Sequence, residues 1–259
     1  MKVLIIGDVM GKPGRDAMKE FLDKKKNDYD FVIVNGENAA AGFGITPKIA
    51  DEFFELGVDV ITSGNHIWDK KELYPYLDEN RNILRPLNYP KGVPGFGYTI
   101  KENGKGEKIA VINIQGRVFM PEVDSPFQRI EEAIEEIKKE TKNIIVDFHA
   151  EATSEKLAMG WYLDGRVSAV YGTHTHVQTA DERILEKGTG FINDVGMTGS
   201  HDSIIGMTIE TVLPKFLTSL PSRFEVATGN VKVNGIELHI DKEGSCKEIN
   251  RINVSIWAK

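Results

Sequence analysis

Short apolar runs alternate with amphipathic segments in the first quarter of the chain. Residues 3–6, 31–34 and 58–62 are continuous runs rich in β-branched side chains, which is typical of strands buried on both faces. Apolar positions at helical spacing predict helices over residues 15–26 and 46–56, between those strands. This β-α-β alternation indicates a largely parallel sheet with right-handed crossovers.

The remainder of the chain continues the alternation and adds antiparallel pairs. Further strands are predicted over residues 96–100, 108–114, 144–146, 167–171, 181–185, 190–192, 224–240 and 246–256. Further helices are predicted over residues 73–77, 125–139, 154–159 and 207–217. Loops are predicted over residues 11–14 and 193–205. The whole pattern favours an α/β fold in a single domain over residues 1–259.

Polar clusters follow the predicted strands. Carboxylate, amide or imidazole side chains stand at these strand ends at Asp8, Glu37-Asn38, Asn65-His66 and His149. In open α/β sheets, ligands bind beyond the carboxyl ends of the strands, so these side chains are expected to share one edge. For any single residue a turn or capping role is the simpler explanation, but three successive strand ends weaken it.

Two histidines follow the apolar run 167–171, in the sequence His174-Thr175-His176. If that strand continues, alternation directs both imidazoles to the same side. Imidazole is the commonest metal ligand in proteins, so the pair is a candidate metal site. The simpler explanation is an exposed pair of histidines, and the other strand ends decide between the two.

Composition and charge narrow the classes of function. The chain of 259 residues carries a net charge of −7, which argues against a protein dominated by non-specific nucleic-acid binding. Cys246 is its single cysteine, so an intrachain disulfide and a cysteine-rich zinc site are excluded. We find neither a signal peptide nor an apolar stretch of membrane-spanning length. We therefore expect a cytoplasmic protein without membrane insertion.

The polar strand ends together have the chemistry of a metal centre. Mixed nitrogen and oxygen ligands suit manganese, iron or zinc better than calcium or a thiolate-bound metal. Two such cations about 3.5–4 Å apart hold a bridging hydroxide and clamp a phosphoryl group during in-line displacement. A pair of cations held by these residues would be suited to phosphoryl chemistry.

The order of these residues resembles that of the calcineurin-like binuclear metallophosphoesterases. The matching motifs are Gly7-Asp8, Gly36-Glu37-Asn38, Gly64-Asn65-His66, His149 and Gly172-Thr173-His174-Thr175-His176. Two departures are informative: Met10 stands where the usual D-x-H motif has histidine, and Glu37 replaces the usual bridging aspartate. With these departures and its short chain, the sequence is similar over its whole length to the YmdB-like bacterial phosphodiesterases.

The resemblance implies a fold, a cofactor and a substrate class. It implies a metallophosphoesterase-type sandwich of mixed, largely parallel sheets flanked by helices. It implies two divalent or mixed-valence metal ions, iron or manganese before zinc. The substrates implied are small phosphodiesters, with 2′,3′-cyclic nucleotides favoured and RNA as a further candidate. The resemblance also implies a homo-oligomer.

Carried over residue by residue, the resemblance implies two sets of metal ligands. Metal one is assigned Asp8, Glu37, Asn38 and His176, and metal two is assigned Glu37, Asn65, His149 and His174, so that Glu37 bridges. Asn38 would offset the histidine missing at position 10. His66 would be the general acid that protonates the leaving alkoxide. Asp69 could orient His66, although an acid at a helix start is the simpler explanation.

Other classes of function and other side chains remain open at this point. A phosphomonoesterase or an RNA nuclease could use the same two metals, and a nucleotide-sensing regulatory protein could bind without hydrolysis. A Rossmann-type dinucleotide site is excluded because Gly7-Asp8-Val9-Met10-Gly11 lacks the required glycine pattern. Side chains that could contact substrate, but for which packing or surface exposure is the simpler explanation, are Phe43, Trp68, Arg117, Phe119 and His201.

Overall fold

The computed structural model describes residues 1–256. Its strands are β1 (Lys2–Ile6), β2 (Asp8–Val9), β3 (Phe31–Asn35), β4 (Val60–Thr62), β5 (Tyr98–Glu102), β6 (Lys108–Gln115), β7 (Ile144–His149), β8 (Ala169–Thr173), β9 (Arg183–Ile184), β10 (Gly190–Ile192), β11 (Met197–Ser200), β12 (Val231–Ile240) and β13 (Cys246–Ser255). Its α-helices are α1 (Gly11–Lys25), α2 (Pro47–Glu55), α3 (Leu73–Glu79), α4 (Pro126–Ile137), α5 (Thr153–Leu163) and α6 (Ile209–Thr218). Short 3-10 helices cover Lys26–Asp28 and Asn65–Trp68.

The first sheet has the strand order β2-β11-β12-β1-β3-β4, and β13 pairs with β12. Strands β1, β3 and β4 are parallel, whereas β12 runs antiparallel to both β1 and β13. Side chains alternate along β1, as the strand period requires. Leu4 and Ile6 pack in the core that contains Met18 of α1 and Phe53 of α2, while Val3 belongs to a different core.

The second sheet has the strand order β5-β6-β7-β8-β10-β9. Its inner strands β6, β7, β8 and β10 are parallel, and the edge strands β5 and β9 are antiparallel to their neighbours. Val111 and Ile145 share a core with Val3 of the first sheet. Ile112 and Val146 pack on the opposite side, in the core that contains residues of α4 and α5.

The two sheets therefore face each other across a common apolar core, with helices packed against their outer faces. This arrangement explains why the parallel strands have no polar side: one face meets the other sheet and the opposite face meets helices. The predicted α/β sandwich of mixed sheets flanked by helices is confirmed. Within residues 1–256, no helix combines the length and apolar character needed to cross a bilayer.

Three local predictions were wrong. Residues 11–14 are the first turn of α1 and not a loop. Pro13 fits there because the N–H groups of a first turn have no partner within the helix, so the missing N–H of proline costs no hydrogen bond. The predicted loop 193–205 contains β11, which forms by pairing with the distant β2 and β12. The predicted strand 224–240 begins only at Val231.

Candidate metal centre and active site

All the predicted site residues lie at or just beyond the carboxyl ends of strands. Asp8 follows β1, Glu37 and Asn38 follow β3, and Asn65 and His66 follow β4 in the first sheet. His149 ends β7, and His174 follows β8 directly in the second sheet. The sandwich brings these two sets of strand ends together, so the site is built from both sheets.

Three of the predicted ligands converge on the imidazole of a fourth, His149. Its Nε2 lies 3.1 Å from Glu37 Oε1, 3.2 Å from Asn65 Oδ1 and 3.1 Å from His174 Nδ1. Two ligand atoms that each lie about 2.1 Å from one metal, at angles of about 90–110°, are about 3.0–3.4 Å apart. The observed separations therefore fit one cation. Glu37, Asn65, His149 and His174 are called the His149 set below.

Hydrogen bonds on the far side of each ring decide which nitrogens of the His149 set are free. Thr173 Oγ1 donates to Asp147 Oδ1 at 2.7 Å and so accepts from Nδ1–H of His149 at 2.9 Å. His174 Nε2 lies 3.1 Å from Glu151 Oε2, and a carboxylate only accepts, so the proton of His174 is on Nε2. Lone pairs of two imidazoles, a carboxylate and an amide oxygen therefore point at one place, which is the chemistry of a cation site.

Asp147 anchors the hydrogen bonds behind His149. It lies in β7, is fully buried, and accepts hydrogen bonds from the hydroxyls of Thr62 and Thr173 and from the Asn35 amide. Burial raises the pKa of Asp147, and these donors and the charge of His149 oppose that rise. The network holds His149 in one orientation, as outer hydrogen bonds do around metal-ligating histidines.

Asp8, Asn38 and His176 form a second, wider group. His176 Nδ1–H donates to the carbonyl of Ile205 at 3.0 Å, which leaves Nε2 free and 4.0 Å from Asp8 Oδ1. Asp8 Oδ1 and Asn38 Oδ1 are buried and have no hydrogen-bond partner among the described residues. Buried acceptors without a partner are rare, so these two oxygens fit a cation as well. Asp8, Asn38 and His176 are called the His176 set below.

The loop that carries both histidines has an unusual backbone. His174 and His176 have φ angles of +97° and +64°, and Ile205, which holds His176, has a φ of +47°. Such conformations cost free energy for residues other than glycine and persist only where the surroundings impose them. Here Asp194 accepts hydrogen bonds from both the N–H and the hydroxyl of Thr175.

A buried ion pair anchors Asp194 in turn. Lys156 of α5 lies 2.7 Å from Asp194 Oδ2, and both side chains are buried. Gly196 N–H donates to the other oxygen of the same carboxylate. With its charge paired and its oxygens bonded, Asp194 provides a fixed support beneath the loop of residues 174–176.

Gly64 makes room for the site. A Cβ atom at this position would lie 2.1 Å from His149 Nε2 and 2.5 Å from Glu37 Oε2, closer than any real contact. The glycine of the Gly64-Asn65-His66 motif is therefore required by the approach of the His149 imidazole. The next residues begin the 3-10 helix Asn65–Trp68, whose His66 N–H donates to Glu37 Oε2 at 3.1 Å.

The electrostatics of the His149 set attract a positive charge. Burial alone would raise the pKa of Glu37, but the charge and hydrogen bond of His149 hold that pKa at about 2. Burial opposes ionisation of His149, yet Glu37 and Asp8 raise its pKa to about 9. Burial and the charge of His149 lower the pKa of His174 to about 3. Glu37 and Asp8 thus favour a positive charge at His149, the place that suits a cation.

His66 lies beside the ligands and is held from its other side. Its Nδ1 is 2.8 Å from Asp69 Oδ2, and its ring meets Phe43 edge-on with centroids 5.1 Å apart. The orienting contact with Asp69 is therefore present, and Asp69 does not start α3, which begins at Leu73. The His66 side chain is 29% exposed and lines a cavity, so its second nitrogen is accessible to a ligand there.

This cavity of about 510 Å³ opens over the centre, and its volume is within the range of small-molecule sites. One half is polar and includes Glu37, His66 and His174. The other half is apolar and is lined by Phe43, Ile204, Ile205, Met207, Val212, Phe216 and Phe224. A groove of about 600 Å³ along α1 is larger, but none of the predicted site residues lines its described part.

The other side chains considered from sequence have varied positions. Phe43 lines the cavity, whereas the Phe119 side chain is largely exposed and Arg117 uses its backbone N–H to bind Glu155. Trp68 packs edge-on against Tyr74 and Tyr89. His201 is half-buried where surface exposure was expected, and its Nε2 lies 3.3 Å from the carbonyl of Met197.

Comparison with known proteins identifies the family of the chain. Residues 4–252 match the model of a family described as YmdB-like protein. The chain belongs to this family. It is 55% identical over 246 residues to the 2′,3′-cyclic-nucleotide 2′-phosphodiesterase of Bacillus subtilis (strain 168), covering 94% of this chain and 92% of that protein. The family predicted from the sequence motifs is confirmed.

Two solved structures of similar proteins have nearly the same fold. A hypothetical protein from Thermus thermophilus is 45% identical with a TM-score of 0.93, covering 98% of this chain and 99% of that one. A structure titled as a novel phosphatase from Mycoplasma pneumoniae is 36% identical with a TM-score of 0.91, covering 98% and 93%. The sandwich fold is therefore shared with both of these structures.

Several residues that shape the site were missed by the sequence analysis. A usable signal existed for Asp147, which is a carboxylate inside the apolar run of β7 and so needed partners. Glu151, two residues after His149, and Asp194 offered no local signal because they act on His174 and Thr175, which are distant in the chain. The family motifs contain Gly64, but its steric role depends on His149 from the other sheet.

Proposed function

We propose that the protein is a metal-dependent phosphodiesterase that hydrolyses 2′,3′-cyclic nucleotides. The single observation that carries this proposal is the convergence of nitrogen and oxygen ligand atoms in the His149 set, next to two buried oxygens without described partners in the His176 set. The name of the Bacillus subtilis relative supports the choice of substrate.

The proposed metal ligands are those implied by the resemblance. Glu37, Asn65, His149 and His174 would hold one cation, and Asp8, Asn38 and His176 would hold the second together with Glu37. Iron or manganese is proposed before zinc because carboxylate and amide oxygens outnumber imidazoles in the two sets. Bound cations would polarise the phosphoryl group and activate the attacking water.

His66 is proposed as the general acid. Hydrolysis of a 2′,3′-cyclic ester at its 2′ position breaks the P–O2′ bond, forms a new P–O bond from water, and leaves an alkoxide that needs a proton. With Nδ1 bonded to the Asp69 carboxylate, the protonated ring carries its second N–H on Nε2, from which the leaving oxygen can take a proton. Phe43 restricts the ring from the side.

The apolar half of the cavity supports a nucleotide and not a bare phosphate ester. Ile205 and Phe216 are 53% and 74% exposed there, so a bound base would remove apolar surface from water. Lys215 is the charged side chain among the described lining residues of this half, and its Nζ lies 5.1 Å from the centre of the Phe224 ring. Base recognition would thus depend on contact area more than on hydrogen bonds to base edges.

The test is a substrate panel on protein whose metals have been quantified. We expect turnover of 2′,3′-cyclic nucleotides above that of 3′,5′-cyclic nucleotides, a bis-ester and a monoester. His66→Ala should keep its metals and lose about 10²–10⁴-fold in turnover of an alkyl ester, and less with a nitrophenolate leaving group. His239→Ala, on the exposed face of β12, is the matched control and should match the unmodified protein.

A phosphomonoesterase is the second candidate, because the related Mycoplasma pneumoniae structure is titled a phosphatase. Activity on monoesters alone would favour it. An RNA nuclease would cleave internal bonds of an RNA chain in the same panel. Metal-loaded protein that hydrolyses none of these substrates would instead favour a nucleotide-sensing protein.

We further propose that the enzyme acts in the cytoplasm as a homo-oligomer. Support for assembly comes from α6 and the residues after it, where Leu213, Leu217 and Leu220 are 43%, 75% and 66% exposed. Apolar clusters of this kind on the surface often mark contact sites. Analytical ultracentrifugation tests the assembly, and a monomer at all concentrations would contradict it.

A further inference from the structure

We infer that Glu151 is a positioning residue that fixes His174 as a metal ligand through its Nδ1. This inference rests on the proposed metal centre and assigns a role to a residue outside both ligand sets. Glu151 follows β7 by two residues, lines the cavity, and has a side chain that is 47% exposed. Its Oε2 lies 3.1 Å from His174 Nε2.

His174 needs support from outside its own segment. It follows β8 and has a φ of +97°, so its backbone does not belong to the regular strand. Its N–H donates to Asp8 Oδ2 at 3.3 Å, which holds the main chain but not the ring. The ring is held at its two nitrogens, by Glu151 on one side and by the His149 set on the other.

The contact with Glu151 determines which nitrogen is available. A neutral imidazole carries one proton, and a carboxylate at Nε2 keeps that proton there. The lone pair is then on Nδ1, which lies 3.1 Å from His149 Nε2 and so points into the His149 set. Without Glu151, the proton would be free to move to Nδ1, and the ring would be free to turn toward the cavity.

The two other histidines are also oriented by a hydrogen bond to one ring nitrogen, with different partners. Thr173 fixes His149 and the Ile205 carbonyl fixes His176, and both of these rings are nearly or fully buried. The side chain of His174 is 22% exposed, so packing constrains it less. Glu151 therefore has the larger share in orienting its histidine.

The experiment compares Glu151→Ala, Glu151→Gln and Glu155→Ala. Mn²⁺ affinity is measured for each of the two positions by competition with a chelator, alongside melting of the metal-free proteins. Glu155 is the matched control, because it is four residues along the chain and binds the backbone of Arg117 and Val118, away from the ligands. Outer-shell carboxylates of this kind typically change metal affinity about 10–100-fold.

We expect Glu151→Ala to weaken one Mn²⁺ position about 10–100-fold and leave the other unchanged, with an unchanged metal-free melting temperature. Glu151→Gln should recover most of the affinity, because its amide oxygen still accepts from Nε2–H. Wild-type affinity at both positions in Glu151→Ala would overturn the inference, as would a Gln variant equal to the Ala variant. Equal weakening of both positions with a lower melting temperature would also overturn it.

These outcomes are separable from failure of the proposed function. If the unmodified protein binds two Mn²⁺ ions and hydrolyses no ester, the proposed activity is wrong while the inference about Glu151 is still tested by the affinities. If the unmodified protein binds no Mn²⁺ in the site, both the proposed metal centre and the inference about Glu151 are wrong.

Discussion

The two candidate ligand sets are built on different foundations. The His149 set centres on a residue inside a regular, fully buried strand, with Thr173 and Asp147 fixed behind it. His174 and His176 share a loop with positive φ angles, but the ligand atoms of the His176 set lie farther apart, with His176 Nε2 4.0 Å from Asp8 Oδ1. A preformed set loses less conformational freedom on binding. We therefore expect the His149 set to bind its cation more tightly.

The largest effect is expected from closing the space that the His149 set occupies. Gly64→Ala would place a Cβ atom 2.1 Å from His149 Nε2, so the ring must leave its position. We expect loss of the tighter metal position and at least about a 100-fold loss of turnover. Gly104→Ala, in a turn where a Cβ meets nothing within 4 Å, is the control. Full activity of Gly64→Ala would show that this position of the ring is not required.

Removing one histidine from each set should separate the two positions. His174→Ala should empty the tighter position and His176→Ala the weaker one, each with loss of most activity. Metal content after dialysis against a graded series of chelator concentrations distinguishes them. If both variants emptied the same position, the assignment to two sets would be wrong.

The pH dependence of metal binding should differ between the sets. The pKa of His149 is about 9 in the metal-free protein, so below that pH a bound proton must leave before the cation enters. Affinity of the His149 set should rise about tenfold per pH unit toward pH 9 and then level off. Burial lowers the pKa of His176, so the ring adds little pH dependence near neutral pH. Burial raises the pKa of Asp8, so the pH dependence of the His176 set comes from this carboxyl group.

The measurement uses His176→Ala, in which the tighter position is studied by itself. Calorimetry in buffers of different ionisation enthalpy counts the protons released with Mn²⁺. Release of about one proton at about pH 7.5 is expected, with none at about pH 10. Affinity independent of pH would contradict the raised pKa of His149.

The smallest effects are expected from the hydroxyls behind the ligands. Thr173→Val removes the acceptor for His149 Nδ1–H and a donor to buried Asp147. We expect metal binding to be about tenfold weaker. We also expect the unfolding free energy to fall by about 1–3 kcal/mol. Thr175→Val removes one bond to Asp194, whose other donors remain, and about 1 kcal/mol is expected. A larger loss of affinity in Thr175→Val would reverse the comparison between the sets.

The sequence was informative where the signal is local in the chain. Apolar runs predicted β1, β3, β4, β7 and β8 because a strand buried on both faces must be apolar throughout. Motif order predicted the side chains that gather at the strand ends. The start of α1 was missed because Pro13 and the glycines beside it are typical of loops, although a first helical turn accepts them. The strand β11 was missed because it forms by pairing with distant strands.

By itself, the sequence determined the family, the α/β class and the candidate ligands, because strand periodicity and motif order are properties of neighbouring residues. Only the tertiary structure decided which nitrogen of each histidine is free and why position 64 requires glycine. It also showed that Glu151 and Asp147 lie behind the ligands, where their hydrogen bonds orient the histidines. Those features depend on atoms brought within about 3 Å of one another from different strands, and for Gly64 and His149 from the two sheets. Hydrogen bonds act over such short distances that a local pattern does not specify partners on separate strands.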